Sequence, residues 1–397
     1  MRILYHHRIR SKDGQYVHME ELIGALRDQG QEVVLCGPGN IEAEDFGADP
    51  AGLGWLRRSL PGFLYELLEF GYAFHDLLRL LWRAWRVRPD FIYERYNLFL
   101  PSGVWVARLL HLPLVLEVNA PLFDERSRYG GISLARLARW TEVHTWRHAD
   151  CIMTVTGILR QRILAAGVAP ERVLVVPNAI DPRRFDPQRG GTALRRELGI
   201  EDRLVIGFTG FVREWHGLDR VVRFLAGHER RDLQLLIVGE GPHCGELRRL
   251  AAELGVQDRV RITGVVERAA MPDYIATFDI AVQPDVVPYA SPLKLFEYMA
   301  MGRPIMAPDR PNIREVLDDD SAVFFDPEQE TAFAGALARL VDDAALRHRL
   351  GAAARRQIQD LGLRWCDNAR RVVEEGARLC GRSLAATTPG AGGGKAE

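Results

Sequence analysis

Two residues of opposite charge, Lys294 and Glu297, sit three apart at the start of a short apolar segment. Ser291-Pro292 before them reads as an N-cap followed by proline at the first helical position. Leu293, Phe296, Ala300 and Met301 then recur at helical spacing, Gly302 ends the helix, and Arg303-Pro304 turns the chain into the apolar strand Ile305-Met306-Ala307. A lysine in a first helical turn opposes the positive end of the helix dipole, so it suits a helix start that receives a polyanion. A carboxylate on the same face can accept two neighbouring hydroxyls bidentately. Only three of the 52 basic residues are lysines (Lys12, Lys294 and Lys395), so a lysine in mid-chain is set against a uniform use of arginine. The competing reading is an ordinary residue on a solvated helix face.

The chain of 397 residues exceeds one ordinary core and predicts two domains. Its hydrophobic content of 47% and charged content of 26% are those of a soluble globular protein. A net charge of −1 argues against nucleic acid as partner. Cys36, Cys151, Cys244, Cys366 and Cys380 are scattered and odd in number, which predicts a reducing, cytoplasmic setting without a disulfide frame or zinc site. Residues 1–10 run straight into a strand, so no signal peptide is expected, and no apolar run has the length of a membrane span.

Strands and helices alternate along the first half. Arg2–Tyr5 is a strand, a loop around Gly14 and Gln15 leads into a helix closed by Gly30, and Glu32–Cys36 is the next strand. This order implies a parallel, doubly wound sheet whose first loop faces a ligand crevice, where Gly14 would let backbone amides approach a phosphate. Strands follow at Phe91–Tyr93, Leu114–Val118, Cys151–Val155 and Arg172–Val176, and Asn119 stands at the crevice end of the second of these. Pro182–Gly191 reads as a linker. Residues 55–88 interleave aromatics with six arginines against Glu66, Glu69 and Asp76. Such a surface suits an anionic membrane face and a lipid-linked acceptor. The alternative is a helix that buries its aromatic stripe and leaves its arginines in water.

The second half restarts the pattern. Strands are expected at Leu204–Phe208, Leu233–Val238, Val260–Ile262, Asp279–Val282 and Ile305–Ala307, with glycine-containing loops at Thr209-Gly210 and Gly239-Glu-Gly-Pro242. Residues 385–397, rich in glycine, predict a disordered tail. Two similar α/β halves with strand ends facing one cleft would hold a ligand between them.

Four segments in order then resemble the family-4 glycosyltransferases: Val176-Pro-Asn-Ala-Ile-Asp-Pro-Arg-Arg-Phe185, Val238-Gly-Glu-Gly-Pro242, Arg261-Ile-Thr-Gly-Val265 and Phe296-Glu-Tyr-Met-Ala-Met-Gly-Arg-Pro-Ile305. The resemblance implies the GT-B fold, two facing Rossmann-like domains with an interdomain cleft. It places an acceptor-binding domain at 1–182 and a nucleotide-sugar domain at 183–364, with 365–384 as a helix packing back on the first. It implies a nucleotide-diphosphate sugar donor, a glycan or lipid-linked acceptor, retention of anomeric configuration and no metal or other cofactor. By the same resemblance Glu297 would hold the ribose and Val265 the base. Gly210, Arg213 and the amides near Ser291 and Leu293 would surround the diphosphate, with Gly14 and Gln15 closing from the opposite domain.

This chain departs from the pattern in three places. Tyr289 replaces the acid eight residues before Glu297, Phe211 and His216 stand where the family's diphosphate arginine and lysine fall, and Asn119 replaces a histidine. Arg213 and Lys294 are therefore expected to serve as the diphosphate cations, neutralising charge on the leaving group. Asn119 would bond a sugar hydroxyl without acting as a base. His6, His7 and His216 are open to an acid–base role or a structural one. A nucleotide-sugar 2-epimerase of the same fold and a non-catalytic nucleotide-sugar-binding protein stay open as alternatives. A dinucleotide dehydrogenase is disfavoured, because no Gly-x-Gly-x-x-Gly follows the first strand.

Overall fold

The computed structural model describes residues 1–9, 14–38 and 60–382. The loop residues 11–13, the start of the 55–88 segment and the 385–397 tail fall outside them. The first half runs β1 (Arg2–His6), α1 (Gly14–Asp28), β2 (Glu32–Cys36), α2 (Gly62–Val87), β3 (Phe91–Arg95), α3 (Ser102–Leu110), β4 (Leu114–Val118), α4 (Leu122–Tyr129), α5 (Ala135–His148), β5 (Cys151–Thr154), α6 (Gly157–Ala165) and β6 (Val173–Val175). The second runs α7 (Thr192–Glu197), β7 (Leu204–Thr209), α8 (Asp219–Gly227), β8 (Leu233–Val238), α9 (Cys244–Glu253), β9 (Val260–Ile262), α10 (Met271–Ala276), β10 (Ile280–Val282), α11 (Leu293–Ala300), β11 (Ile305–Pro308), α12 (Pro311–Arg314), β12 (Ala322–Phe325), α13 (Glu330–Asp342), α14 (Ala344–Asp360) and α15 (Trp365–Leu379).

Each half forms a six-stranded sheet, ordered β2-β1-β3-β4-β5-β6 and β12-β11-β10-β7-β8-β9, and every paired strand is parallel. Helices cover both faces, which is why central strands such as β4 and β8 are buried along their whole length and read as nearly unbroken apolar runs. One face of the first sheet packs on α1 and α15 through Leu22, Leu26, Trp365 and Val372. The other packs beneath α2, α3 and α5 through Leu80, Val104 and Trp146. The strand Ala322–Phe325 was not expected from sequence. It is four residues long, follows the charged Asp318-Asp319-Asp320, and completes the edge of the second sheet against β11.

Helix α2 departs from ordinary amphipathic logic. Its buried positions include Glu66 and Asp76, whereas Phe63, Phe74, Trp82 and Trp85 face outward. Of the two readings of this segment, the one that buries the aromatic stripe in the core fails. The inward acids each have work to do: the Glu66 carboxylate accepts from the Ser133 and Leu134 amides at 2.9 and 2.5 Å, capping the approach to α5. Asp76 lies 2.9 Å from His6 Nε2 and accepts from the Ser102 hydroxyl at 2.6 Å. His6 Nδ1 meets Glu94 at 2.7 Å on its other side. Burial alone would lower the His6 pKa, but hydrogen bonds from the ring to Asp76 and Glu94 outweigh it and raise the pKa well above that of a free imidazole. His6 is thus a buried cation that ties β1, β3 and α2 together.

Two crossings join the halves. The chain passes over near Asn178–Gly191 and returns near Leu363–Trp365, and the two lie side by side. Ile180 N donates to Leu363 O at 3.1 Å, and Trp365 N donates to Ile180 O at 3.2 Å.

Candidate active site

The site grows from the end of β7. Gly210 adopts φ +117°, and a Cβ there would stand 3.4 Å from the Lys294 ammonium, so a side chain would be both strained and crowded. Lys294, in the first turn of α11, lays its Nζ 3.6 Å from the centre of the Phe208 ring. Burial pushes its pKa down to about 7, only partly offset by the Glu297 carboxylate. A lysine held in this way gains most from a bound anion. Arg213 is exposed, its guanidinium placed 4.9 and 4.8 Å from the Phe211 and Trp215 ring centres. Between the two cations lies His216, 5.1 Å from Phe208, whose Nδ1 accepts from Arg213 N at 3.1 Å. Burial first, then the charges of Lys294 and Arg213, drive its pKa down to about 2. It is neutral at physiological pH, which leaves Lys294 and Arg213 as the two of these three groups able to carry positive charge. His7, pushed down to about 4 mainly by burial, is likewise neutral.

Helix α11 begins at Leu293 with Pro292 at the cap, one residue later than expected. Ser291 is not its N-cap, because its side chain faces the other domain, where the hydroxyl oxygen accepts from Asn178 N at 3.2 Å. Leu293 packs against the core beneath α1, and a Cβ on Gly14 would lie 3.9 Å from Leu293 Cδ1. The starts of α1 and α11 thus face each other, and Gly14, Gln15, Ser291 and Leu293 share one interdomain seam. Val265 is exposed on the turn after Gly264.

Glu297 is buried, one turn beyond Lys294, and the sequence reading missed its partner. Arg268 donates to Glu297 Oε1 and reaches across the seam to within 3.6 Å of Glu21 on α1. Arg184 donates to the same Glu21 oxygen at 2.7 Å. In a chain this rich in arginine nothing in the sequence marks Arg268. Any ribose at Glu297 must share the carboxylate with it or displace it.

A second group lines the seam on the first domain. Glu117, buried on β4, accepts from Tyr93 at 2.7 Å and from Arg95 and Asn119, with His18 Nε2 at 3.1 Å. Burial would raise its pKa, but the charges of His18 and Arg95 hold it well below the ordinary carboxylate range. Asn119 donates an amide N–H to Glu117, which leaves its Oδ1 as an acceptor. His18 also meets Asn178 Oδ1 at 2.6 Å, and Asn178 Nδ2 donates to Ser291 O at 2.5 Å. A continuous chain of hydrogen bonds runs from Asn119 to the start of α11. His18 lies one helical turn after Gly14, a spacing that offered a signal for it. Tyr289, in place of the family's acid, donates its hydroxyl to Glu125 of the opposite domain at 2.5 Å.

Asn178→Ala should remove the two side-chain contacts, to His18 and to Ser291 O, while its backbone N–H still meets the Ser291 hydroxyl, and it should leave buried polar groups on both sides of the seam. We expect a loss of about 1–3 kcal/mol in thermal stability. Turnover should fall with it, whereas donor-free folding of the second domain should persist, a contrast that two-transition calorimetry would display.

Residues 12–184 match the family model described as Glycosyltransferase Family 4, and residues 192–357 match Glycosyl transferases group 1. Among curated proteins, alpha-D-kanosaminyltransferase of Streptomyces kanamyceticus is 27% identical over 255 residues, covering 62% of this chain and 65% of that one. D-inositol 3-phosphate glycosyltransferase of Xylanimonas cellulosilytica is 31% identical over 219 residues, covering 52% of each. The matched stretch thus spans between half and two thirds of these relatives. HepE of Anabaena, solved in complex with UDP, superposes with a TM-score of 0.76 at 18% identity, over 95% of this chain and all of that one. Sucrose-phosphate synthase of Thermosynechococcus elongatus superposes with a TM-score of 0.71 at 17% identity, over 96% of this chain and 99% of that one. Both likenesses are of fold.

Proposed function

We infer the activity from one premise: this chain belongs to the family-4 glycosyltransferases of GT-B type, its two halves matching the two family models and its fold matching GT-B structures. It transfers a glycosyl group from a nucleoside diphosphate sugar to an acceptor hydroxyl, with retention of configuration and without a metal. The observation that carries this reading is the spacing on α11. Lys294 stands against the bare backbone of Gly210 as a diphosphate cation, and Glu297 lies one turn beyond it as a ribose carboxylate.

In the proposed reaction the bond from the anomeric carbon to the leaving phosphate oxygen breaks as the acceptor oxygen bonds on the same face. The acceptor proton passes to the departing phosphate. Lys294 and Arg213 stabilise the negative charge that develops there, and Asn119 Oδ1 receives a hydroxyl hydrogen from the sugar or the acceptor. Closure of the two domains about their double crossing excludes water from the reacting carbon. The acceptor belongs to cell-surface glycan or glycolipid synthesis, handled on the cytoplasmic side.

The test is a thermal-shift panel of nucleoside diphosphates and their sugar conjugates, followed by product analysis with candidate acceptors. The expected result is one stabilising nucleotide series and acceptor-dependent nucleotide release. Epimerised donor in the absence of acceptor would mark the isomerase, and tight binding without release would mark a binding protein. Either outcome replaces the transferase reading.

A further inference from the structure

Helix α2 is 26 residues long, about 39 Å at the standard helical rise, and its outer face has no counterpart among the described residues. Leu67, Leu68, Phe74, Leu78, Trp82 and Trp85 recur three, four and seven apart and share one stripe roughly 120° wide. Leu78 and Trp85 are each 67% exposed and Trp82 is 52% exposed, values that belong to a surface awaiting a cover. The stripe continues sideways onto α5 through the Phe70–Trp140 edge contact, and Trp140 is itself exposed.

Charge surrounds this apolar face and has one sign. The three acids of α2 are all engaged elsewhere: Glu66 caps α5, Asp76 holds His6, and Glu69 pairs with Arg126 at 2.5 Å. Arg83 and the exposed Arg86 stand beside the stripe, Arg86 lying 5.5 Å from the Trp82 ring centre. Beside it, one face of α5 carries Arg136, Arg139, Trp140, His144 and Arg147. No helix among the described residues is long and apolar enough to cross a membrane.

We propose that the α2 face lies in the plane of an anionic lipid bilayer. Leu78, Trp82 and Trp85 enter the headgroup boundary, and the arginine-bearing face of α5 meets the lipid phosphates. Aromatics with a polar edge suit that boundary, and arginines at its rim suit anionic lipid. A second copy of the chain is the poorer occupant, because a two-fold contact would set the basic rim against itself. The proposal requires nothing of the transfer chemistry, and its test uses no sugar, so the two readings stand or fall separately.

The experiment is flotation of the full chain with vesicles of phosphatidylcholine containing roughly 30% phosphatidylglycerol, beside pure phosphatidylcholine. The wild type should float with the anionic vesicles at least about tenfold more than with the neutral ones, and added salt should reduce this. A triple variant, Leu78→Ser with Trp82→Ser and Trp85→Ser, should lose vesicle binding. A second variant, Arg83→Glu with Arg86→Glu, should lose the preference for anionic lipid. Arg83 is half-buried and the other substituted side chains are exposed, so melting temperatures should stay close to the wild-type value. Absence of wild-type flotation, or flotation unchanged by the triple variant, overturns the proposal. So does a dimer that the triple variant converts to monomer, which would assign the face to a second copy.

Discussion

Lys294→Ala is expected to lower donor turnover by roughly 10²–10³-fold, the scale of removing one preorganised charge from a transition state. Folding should hardly change, because the ammonium rests on the Phe208 ring and its charge is disfavoured by burial. The pH dependence is the sharper signature. With the free amine's pKa near 7, the lysine is already protonated below that value and a diphosphate binds at full strength. Binding an anion raises the pKa, so between the free and bound values affinity should fall by about tenfold per pH unit as pH rises. Titrations of nucleoside diphosphate across neutral and mildly alkaline pH would display the slope in wild type and its absence in Lys294→Met. A flat wild-type profile would remove Lys294 from the diphosphate site.

The second large effect falls on Glu297. A nucleoside diphosphate at 100 times its Kd should stabilise the wild type by about 2.7 kcal/mol, and Glu297→Ala should lose most of that gain. The truncation also leaves Arg268 without its main partner, which lowers stability without any ligand present. Two controls separate these effects. Glu297→Ala combined with Arg268→Ala should recover apo stability without recovering nucleotide binding. A 2′,3′-dideoxynucleoside diphosphate should bind the wild type far more weakly than its ribose parent, while Glu297→Ala should treat the two alike. If wild type does not discriminate between them, the carboxylate has another role and the Arg268–Glu21 contact is its purpose.

The two α/β halves and eleven of the twelve strands among the described residues were legible because parallel strands buried on both faces leave apolar runs between glycine turns. Lys294 was singled out for a different reason, its rarity, and the structure sets it beside Gly210. The contacts across the seam were not. Asn178 lay inside a quoted motif, but its bonds to His18 and Ser291 span 160 and 113 residues, and periodicity is silent at that range. Arg268 was hidden among many arginines. On α2 the pattern left both an outward and an inward aromatic stripe open, because it does not foresee that Glu66 and Asp76 turn inward to serve a helix start and a buried histidine.

The returning helix α15 also bears on how the molecule comes into being. Trp365 packs edge-on to His18 at 5.0 Å, and Gly376 lies so close to Phe91 that a Cβ would meet the ring at 2.4 Å. The first domain therefore has a core sewn from both extremities of the described chain, whereas the second is one unbroken stretch. During synthesis the amino-terminal sheet must emerge from the ribosome with its α1 face uncovered, and it waits there while the whole second domain is made. The domain that begins first is completed last, when α15 arrives to seal it.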